Sequence, residues 1–334
     1  MREKLFAEHT MGKSLEQYVG IKMPQCLNDK SLQHIVVRGC YKRREEQIFS
    51  SEKSDKLFNW KRPTYEPDAK GKLFCNCFPG TDYVEHYALL IQAYSDMYGL
   101  ELEVQTESPG QENVLTALIE ETNILKIPKA DIVILGIVHH FFTSEEFEGD
   151  GDFMWKQETV DGRTILYLGC KFSIWGDIAG EVLRVLAAAN EVKGFIYVGK
   201  LGTLGDEVPN EYLVTGDYSY VDGIAVVWDN LFLDVIGENV INGRHVTLPS
   251  VMQETKSWLN ANIDKFSFVD PEIGKLAKAA NEMGVDFSYL HIVSDNLKRE
   301  FPEDLSNERQ KLVIEKRSAL LEQVRTILVT KRLM

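Results

Sequence analysis

Two carboxylates, Glu272 and Asp295, have a spacing that would let a fold bring them together. Glu272 ends the stretch Phe268–Glu272 at the start of a predicted helix, Ile273–Gly284, and Asp295 follows the strand-like run Phe287–Val293. A helix of this length returns the chain antiparallel to its start, so the strand end can lie beside the first turn of the helix. Two such carboxylates could hold the hydroxyls of a polyol and protonate a leaving group. We therefore interpret the pair as a candidate site for cleaving a glycosidic bond.

Each carboxylate also has a purely structural interpretation. Glu272 is an acid in the first turn of a helix, where the helix dipole favours a negative charge. Asp295 could cap the turn that follows its strand. Their pairing favours the functional interpretation over the structural one.

Strands and helices alternate from Ala130 onward. The predicted strands are Asp131–Val138, Thr164–Cys170, Gly194–Gly199, Ile224–Trp228 and Phe287–Val293, and the predicted helices are Ile178–Ala189, Val251–Asn262, Ile273–Met283 and Ser306–Leu328. Several strand-like runs are apolar at nearly every position, which is typical of strands buried on both faces. The pattern predicts an α/β fold with a mixed, largely parallel central sheet flanked by helices.

The N-terminal part of the chain is predicted to be a separate α/β extension. We place it at residues 1–125, followed by the main domain at residues 126–334. Its predicted strands are Ile35–Arg38, Leu73–Phe78 and Glu101–Gln105, and its predicted helices are Thr81–Gly99, with Thr81 as N-cap, and Asn113–Leu125. A lid, an oligomer interface and a partner-binding module are all open as its role.

Ligands of such sheets bind beyond the carboxyl ends of the strands, where glycines and polar residues gather in this chain. The loop Gly199–Gly205 follows a predicted strand, and its glycines let the backbone approach a ligand closely. The loop lacks the Gly-Lys-Ser/Thr spacing of a phosphate-binding Walker loop. Lys200 either binds a phosphate or carboxylate or reaches solvent, and both alternatives stay open.

Composition narrows the classes of partner. The chain has 334 residues, 44% of them hydrophobic, and a formal net charge of −14. No apolar run approaches the roughly 20 residues that cross a bilayer, and a strongly acidic chain lacks the basic face that nucleic acid or an anionic membrane needs. The five cysteines have neither metal-type nor disulfide spacing, so we expect no metal site and a reducing, cytoplasmic location.

The order of the motifs resembles that of the purine nucleoside phosphorylase and nucleosidase superfamily, which includes uridine phosphorylases, methylthioadenosine/S-adenosylhomocysteine nucleosidases and AMP nucleosidases. The resemblance covers residues from about 130 to 330. The segments that carry it, in order, are Asp131–Val138, Gly169–Ala179, Gly199–Gly205, Thr215–Asp217, Ser250–Thr255, Val269–Glu272 and Val293–Asp295.

The resemblance implies roles for particular residues. Glu272 would bind ribose hydroxyls, and Asp295 would bind the base and, in purine-specific members, protonate it, for which burial would have to raise its pKa. We further predict as substrate contacts Gly199, Lys200, Gly202, Thr203, Ser294, Asn296 and His140. The resemblance implies no cofactor, although phosphate could be a co-substrate, and it implies a homo-oligomer in which neighbouring subunits complete the site.

Four departures from the family pattern bear on the reaction. Lys200 stands where the family has a small hydroxyl residue. Pro271 replaces the methionine that packs on the sugar, and His139 and His140 stand where nucleosidases have a water-activating acid. Glu145 or Glu146 could supply that acid only if its loop folds back. The arginine expected of phosphate-binding members is not evident, so the choice between water and phosphate as nucleophile stays open.

We hypothesise that the chain cleaves the N-glycosidic bond of a nucleoside or nucleotide-like substrate by hydrolysis or phosphorolysis. The alternative, from another class of protein, is a non-catalytic sensor or scaffold of the same fold that binds a nucleoside-like ligand. Pro271 and the unmatched acid near His140 motivate that alternative.

Overall fold

Two β-sheets, one in each part of the chain, organise the protein. The structure, a computed structural model, describes residues 2–29, 31–42, 47–50, 52, 56–69, 71–235, 237–303 and 307–334. Ser306, at the start of the last predicted helix, lies outside the described residues. None of the described helices is long and apolar enough to cross a membrane.

The N-terminal sheet has the strand order β2-β3-β4-β1-β5 within the described residues. The elements of this part are β1 (His34–Gly39), β2 (Ile48–Phe49), β3 (Thr64–Pro67), β4 (Leu73–Cys77) and β5 (Glu103–Glu107), with helices α1 (Arg2–Glu8), α2 (Ser14–Gly20), α3 (Thr81–Tyr98) and α4 (Gln111–Glu121). Strand β1 pairs in parallel with both β4 and β5. Each strand and helix predicted here is present within a few residues, whereas the short helices α1 and α2 were not predicted.

The central sheet has eleven strands within the described residues. They are β6 (Ile132–Gly136), β7 (Phe153–Val160), β8 (Arg163–Cys170), β9 (Gly194–Thr203), β10 (Leu213–Thr215), β11 (Tyr218–Val221), β12 (Ile224–Val227), β13 (Val240–Asn242), β14 (His245–Thr247), β15 (Phe268–Asp270) and β16 (Asp286–Asn296). Strands β8, β6, β9 and β16 lie side by side in parallel, and β7, β12 and β15 join by antiparallel pairings. The predicted α/β fold with a mixed, largely parallel central sheet is confirmed.

Helices cover the central sheet on both faces. The helices are α5 (Asp177–Asn190), α6 (Lys256–Asn262), α7 (Ile273–Met283) and α8 (Lys311–Thr330). Along β9, Phe195 and Tyr197 pack into the hydrophobic cluster that includes α5 and α7, whereas Ile196 and Val198 pack into the cluster that includes α8. Successive side chains of a strand point to opposite faces, so a run that is apolar at every position fills both cores.

Strand β7 and, apart from β12, the strands shorter than five residues escaped sequence prediction. Strand β7 pairs antiparallel with β8 over its whole length, yet only Phe153 and Trp155 of its eight residues are buried. A strand with one polar, half-exposed face and charged residues at its end gives a weak apolar signal.

The predicted helix Val251–Asn262 is interrupted. Residues Val251–Gln253 form one turn of 3-10 helix, Glu254 ends it, and α6 begins only after Thr255, whose hydroxyl accepts the backbone N–H of Trp258 at 3.1 Å. The prediction of one continuous helix is therefore wrong. The consequence is that Glu254 stands in a short connection and not on a helix face.

The predicted N-cap of α3 is also wrong. Gly80 occupies the N-cap position of α3, and the backbone N–H of Thr81 donates to Asp177 Oδ2 at 2.8 Å. In return, the N–H of Asp177 donates to Asp82 Oδ2 at 3.0 Å, so the two helices cap each other. Residues 95 positions apart supply these caps, which no local pattern indicates.

The two sheets lie on either side of the predicted boundary at residue 125, but they share one hydrophobic cluster. That cluster contains Leu15, Tyr87 and Ile91 from the N-terminal part together with side chains of α5, α7, β9 and β16. Isolated β-bridges also join His9 to Thr255 and Lys61 to Phe172. The N-terminal part is thus packed directly onto the main domain.

We predict that Gly136→Ala destabilises the protein more than a glycine-to-alanine substitution elsewhere that strains the backbone but brings the new methyl group against no other atom. Gly136 has φ +118°, and a Cβ there would lie 2.1 Å from the backbone oxygen of Val198. We expect the free energy of unfolding, measured by urea denaturation, to fall by about 3 kcal/mol or more. The control is Gly223→Ala, at φ +80° with nothing within 4 Å of the added methyl, which should lose about 1 kcal/mol. Equal losses would show that the close approach to Val198 does not matter.

Candidate functional site

A cavity of about 780 Å³ lies at the carboxyl ends of β6, β9, β15 and β16. Its walls also include side chains from α2, α3 and the loop before β3. The volume is in the range of small-molecule sites, which is about 300–1,000 Å³. The cavity is where the topology of an α/β sheet leads one to expect a ligand.

Most of the predicted site residues meet at this cavity. Those that line it are Gly199, Lys200, Gly202, Glu272, Ser294, Asp295 and His140, and Pro271 and His139 line it with them. The fold therefore brings together the two carboxylates that the sequence singled out, Glu272 from the start of α7 and Asp295 from the end of β16.

Thr203 and Asn296 are not brought to the cavity. The hydroxyl of Thr203 donates to Glu207 and accepts the backbone N–H of Gly205 at 3.0 Å. The amide of Asn296 donates to the backbone oxygens of Gly205 and Glu207 at 3.2 and 2.9 Å. Both side chains hold the loop after β9 in place, so the structure offers no support for the substrate contacts implied for them.

Glu272 is buried, 9% exposed, at the N-cap position of α7. Asp270, two residues earlier, is buried as well. Burial raises the pKa of Glu272 well above its ordinary value, and the neighbouring charge of Asp270 raises it further. A carboxyl whose pKa is raised keeps its proton to a higher pH than an ordinary glutamate, and a protonated carboxyl can donate a hydrogen bond as well as accept one.

Asp270 holds the backbone at the start of α7, where Glu272 lies. One oxygen of Asp270 accepts the backbone N–H groups of Glu272 and Ile273 at 3.1 and 2.9 Å and lies 3.0 Å from His245 Nε2. His245 Nδ1 is in turn 2.9 Å from the hydroxyl of Ser219. The start of α7, and with it the direction of the Glu272 side chain, is set by this buried network.

Asp295 pairs with Gly202 of β9 directly after an irregularity of β16, in which Ser294 lies between the paired residues Val293 and Asp295. The hydroxyl of Ser294 donates to Asp295 Oδ1 at 2.7 Å. A Cβ at position 202 would lie 2.9 Å from Asp295 Oδ2, so the absence of a side chain at Gly202 makes room for the carboxylate. This space is the structural reason for a glycine at the predicted loop.

Lys200 lines the cavity but is engaged with a carboxylate of its own chain. Its ammonium forms a salt bridge with Glu308, which also lies 3.4 Å from Arg317 and 3.7 Å from Lys56. Lys200 thus has a carboxylate of the protein itself as its partner. Whether it also binds a phosphate or carboxylate of a ligand stays a prediction. Three cations around one carboxylate make this end of the cavity basic in an otherwise acidic chain.

His139 and His140 lie together at the cavity wall, with ring centroids 4.4 Å apart. Burial lowers the pKa of His139 to about 4 and also lowers that of His140. Both rings are therefore neutral at pH 7 and add no charge to the site. Glu145 and Glu146 are not among the lining residues, so their loop does not bring either carboxylate to the cavity.

Sequence reasoning missed the wall that the N-terminal part contributes. Glu52 accepts hydrogen bonds from Lys22 Nζ and Arg62 Nε, each at 2.9 Å, and all three residues are buried at the cavity. Nearby, the ring of His86 stacks on Trp175 with centroids 4.1 Å apart. These residues come from different elements, and no spacing in the sequence signals that they meet.

Glu254 was also missed as a site residue. It is 5% exposed and lines the same cavity as Asp295. Burial raises its pKa well above the ordinary value, and the charge of Asp295 raises it further. The sequence placed Glu254 inside a helix, and only the observed interruption of that helix shows that it faces the site.

Sequence comparison leaves the family of this chain unassigned. No family model matches it. A curated protein of Cordyceps militaris, Oxidoreductase cns1, is 25% identical over an alignment of 265 residues that covers 68% of this chain and 33% of that protein. The chain thus spans about a third of the length of this curated relative.

Solved structures that the chain is similar to include three enzymes. Uridine phosphorylase of Vibrio fischeri has a TM-score of 0.47 at 13% identity, covering 62% of this chain and 91% of its own. 5'-Methylthioadenosine nucleosidase of Arabidopsis thaliana has a TM-score of 0.45 at 13% identity, covering 61% of this chain and 96% of its own. Futalosine hydrolase of Helicobacter pylori has a TM-score of 0.44 at 15% identity, covering 60% of this chain and 100% of its own. The matched proteins are of the kind that the sequence resemblance names, and identities this low concern the fold alone.

We predict that Asp177, whose cap on α3 adjoins the site, makes stability depend on pH. Burial, together with the nearby charge of Asp82, raises the pKa of Asp177 to about 6. A raised carboxyl pKa stabilises the fold below the unfolded value, and this contribution is lost as pH rises through about 6. Relative to Asp177→Asn, the wild type should therefore lose about 3 kcal/mol of unfolding free energy between pH 4 and pH 8. Urea denaturation of both proteins at each pH measures this difference, and a constant difference would contradict the prediction.

Proposed function

We propose that this chain cleaves the N-glycosidic bond of a nucleoside or nucleotide-like substrate. The observation that carries the proposal is the convergence of Glu272 and Asp295, from different elements, on one cavity at the carboxyl ends of the central strands. Glu272 is buried at the start of α7, and Asp295 accepts the hydroxyl of Ser294 at 2.7 Å. Fixed groups aimed into one cavity are what catalysis requires.

The two carboxyls would act on opposite halves of the substrate. Glu272, which is buried, would form hydrogen bonds with the sugar hydroxyls. Asp295 would bind the base, which leaves with the electron pair of the C–N bond and needs a proton to become a good leaving group. As positive charge develops on the sugar, the carboxyl groups around it stabilise that charge most in the transition state.

Both nucleophiles are retained in this proposal. Water can reach carbon 1 of the sugar through the cavity, and phosphate could be drawn to the basic end formed by Lys200, Lys56 and Arg317 around Glu308. The same cations favour a nucleotide over a nucleoside as substrate, because a phosphate could replace the Glu308 carboxylate as their partner.

The test is to incubate the protein with adenosine, inosine, uridine and AMP, with and without inorganic phosphate, and to measure free base by chromatography. The expected result is base release from at least one of them by the wild type, reduced at least 10²-fold in Asp295→Asn. Base release that depends on phosphate identifies a phosphorylase, and release without phosphate identifies a hydrolase. If Asp295→Asn releases base as fast as the wild type, the role given to Asp295 is wrong.

The second candidate is a non-catalytic nucleoside-binding protein of this fold, and the observation that favours it is Pro271 in the cavity wall between the two carboxyl groups of the Asp270–Glu272 pair. Thermal stabilisation by a nucleoside without any turnover would support it. Base release that depends on Glu272 would exclude it.

One further expectation concerns assembly. Side chains of the N-terminal part, among them Tyr18, Glu52 and Arg62, line the cavity. In the oligomeric enzymes that the sequence resembles, neighbouring subunits complete the site. We therefore propose that the N-terminal part of this chain completes the site in their place. A homo-oligomer is still an expectation of that resemblance alone.

A further inference from the structure

The base end of the cavity contains a second carboxyl beside Asp295, and nothing in the resemblance accounts for it. Glu254 and Asp295 both line the cavity, and they come from the connection before α6 and the end of β16. Glu254 is almost fully buried and Asp295 is partly exposed. Two carboxyls that face one space, one of them dry, do not ionise equally.

The backbone around Glu254 is held from three sides. The backbone oxygen of Glu254 accepts the hydroxyl of Thr10 at 2.7 Å and the N–H of the same residue at 3.2 Å. Ser250, which caps the preceding turn, is 2.8 Å from His86 Nδ1. On the outer side, Gln253 donates to Glu85 at 2.9 Å. These hydrogen bonds hold the connection that carries Glu254 in the wall of the cavity.

The charged and titratable groups near Glu254 determine which carboxyl keeps the proton. Asp295 lines the same cavity from β16, Tyr18 lines it from α2, and His9 Nε2 lies 3.1 Å from the backbone oxygen of Val251 in the same connection. Burial lowers the pKa of His9 to about 4, so this ring is neutral at pH 7. The negative charge of Asp295 favours a neutral, protonated Glu254.

We propose that Glu254 and Asp295 form one acid–base pair, in which Glu254 stores the proton that the departing base receives. This inference rests on the proposed function and names the proton source for that reaction. The C–N bond breaks with its electron pair going to the base, and the base takes the proton from Glu254, directly or through Asp295. Water then adds to the sugar cation and releases one proton, which restores the acid. Nucleoside and water thus give free sugar and neutral base.

The assignment also explains how the reaction proceeds with a partly exposed Asp295. A buried carboxyl keeps its proton to a higher pH than one that is in contact with water. In this proposal the buried Glu254 supplies the proton, and Asp295 binds the base. A general acid of this kind contributes about 10²–10⁴-fold to the rate.

The experiment compares Glu254→Gln with the wild type on two substrates. Adenosine has a poor leaving group that needs a proton, whereas 4-nitrophenyl riboside has a leaving group that departs as an anion. We expect Glu254→Gln to lose at least 10²-fold on adenosine and less than 10-fold on 4-nitrophenyl riboside. The fall in wild-type rate with rising pH should also be missing from the variant's profile on adenosine.

Glu85→Gln is the matched control, because Glu85 contacts the outer side of the same connection without lining the cavity. It should keep wild-type rates on both substrates. Equal losses on both substrates in Glu254→Gln would show a merely structural role, and unchanged rates would show no role; either result overturns the inference while the proposed function stands. A wild type inactive on the nucleoside panel and on 4-nitrophenyl riboside would overturn the proposed function and this inference together.

Discussion

Replacing Glu272 by alanine is expected to lower base release from a ribonucleoside by about 10²–10³-fold. The reason is that Glu272 is buried at the start of α7, in the wall of the cavity. The loss should be much smaller for the corresponding 2′-deoxynucleoside, because the hydroxyl that we propose Glu272 binds is missing. Measuring kcat/KM for both substrates with the wild type and with Glu272→Ala completes a double-mutant cycle. The cycle gives the interaction energy between the Glu272 side chain and the 2′-hydroxyl.

Two variants make this result specific. Glu272→Gln keeps the shape of a protonated carboxyl and should retain more activity than Glu272→Ala. Glu282→Ala removes an exposed acid of the same helix that pairs with Arg184, and it should leave base release unchanged. Equal losses for the ribo- and 2′-deoxy-substrates in Glu272→Ala would show that Glu272 does not bind the 2′-hydroxyl.

The largest effect on stability is expected from Glu52→Gln. Glu52 bridges Lys22 and Arg62 at 2.9 Å each, and its side chain is only 4% exposed. Removing one member of a buried ionic network leaves the others without compensation, which costs about 3–5 kcal/mol of unfolding free energy. The same change should weaken ligand binding, since the three residues form one wall of the cavity. Urea denaturation and nucleoside titration by calorimetry measure the two effects.

The control is Glu191→Gln, which removes the acid of an exposed salt bridge with Lys129. Exposed pairs contribute little, so its unfolding free energy should stay within about 1 kcal/mol of the wild type. If Glu52→Gln is as harmless as this control, the Lys22–Glu52–Arg62 network does not hold the N-terminal wall in place.

Short-range patterns in the sequence were enough for the framework and for two site residues. The apolar runs of β6, β8, β9 and β16 and the helical period of α5 and α7 reflect burial on one or both faces of a single element. Glu272 and Asp295 were found because each stands at the end of such an element. The end of an element is itself a local feature, and the α/β topology then determines that these ends meet.

Other features depended on contacts between distant parts of the chain. Glu254 became visible only because the helix predicted across it stops, and its backbone oxygen is held by Thr10, 244 residues away. Likewise, Asp177 replaces Thr81 as the cap of α3, and Glu308 gives Lys200 its partner. Thr203 and Asn296 carried the right residue types at the right strand ends, but their hydrogen bonds turn them into the loop.

The sequence by itself therefore determined the alternating α/β framework and the two carboxyls at its element ends, because periodicity and element ends are written in neighbouring residues. Only the tertiary structure decided which further side chains surround those carboxyls. The N-terminal wall, the salt bridge of Lys200 and the buried acid Glu254 each depend on packing between residues far apart in the chain. Burial, which raises the pKa of Glu254 and Glu272, is a property of that packing and of no local pattern.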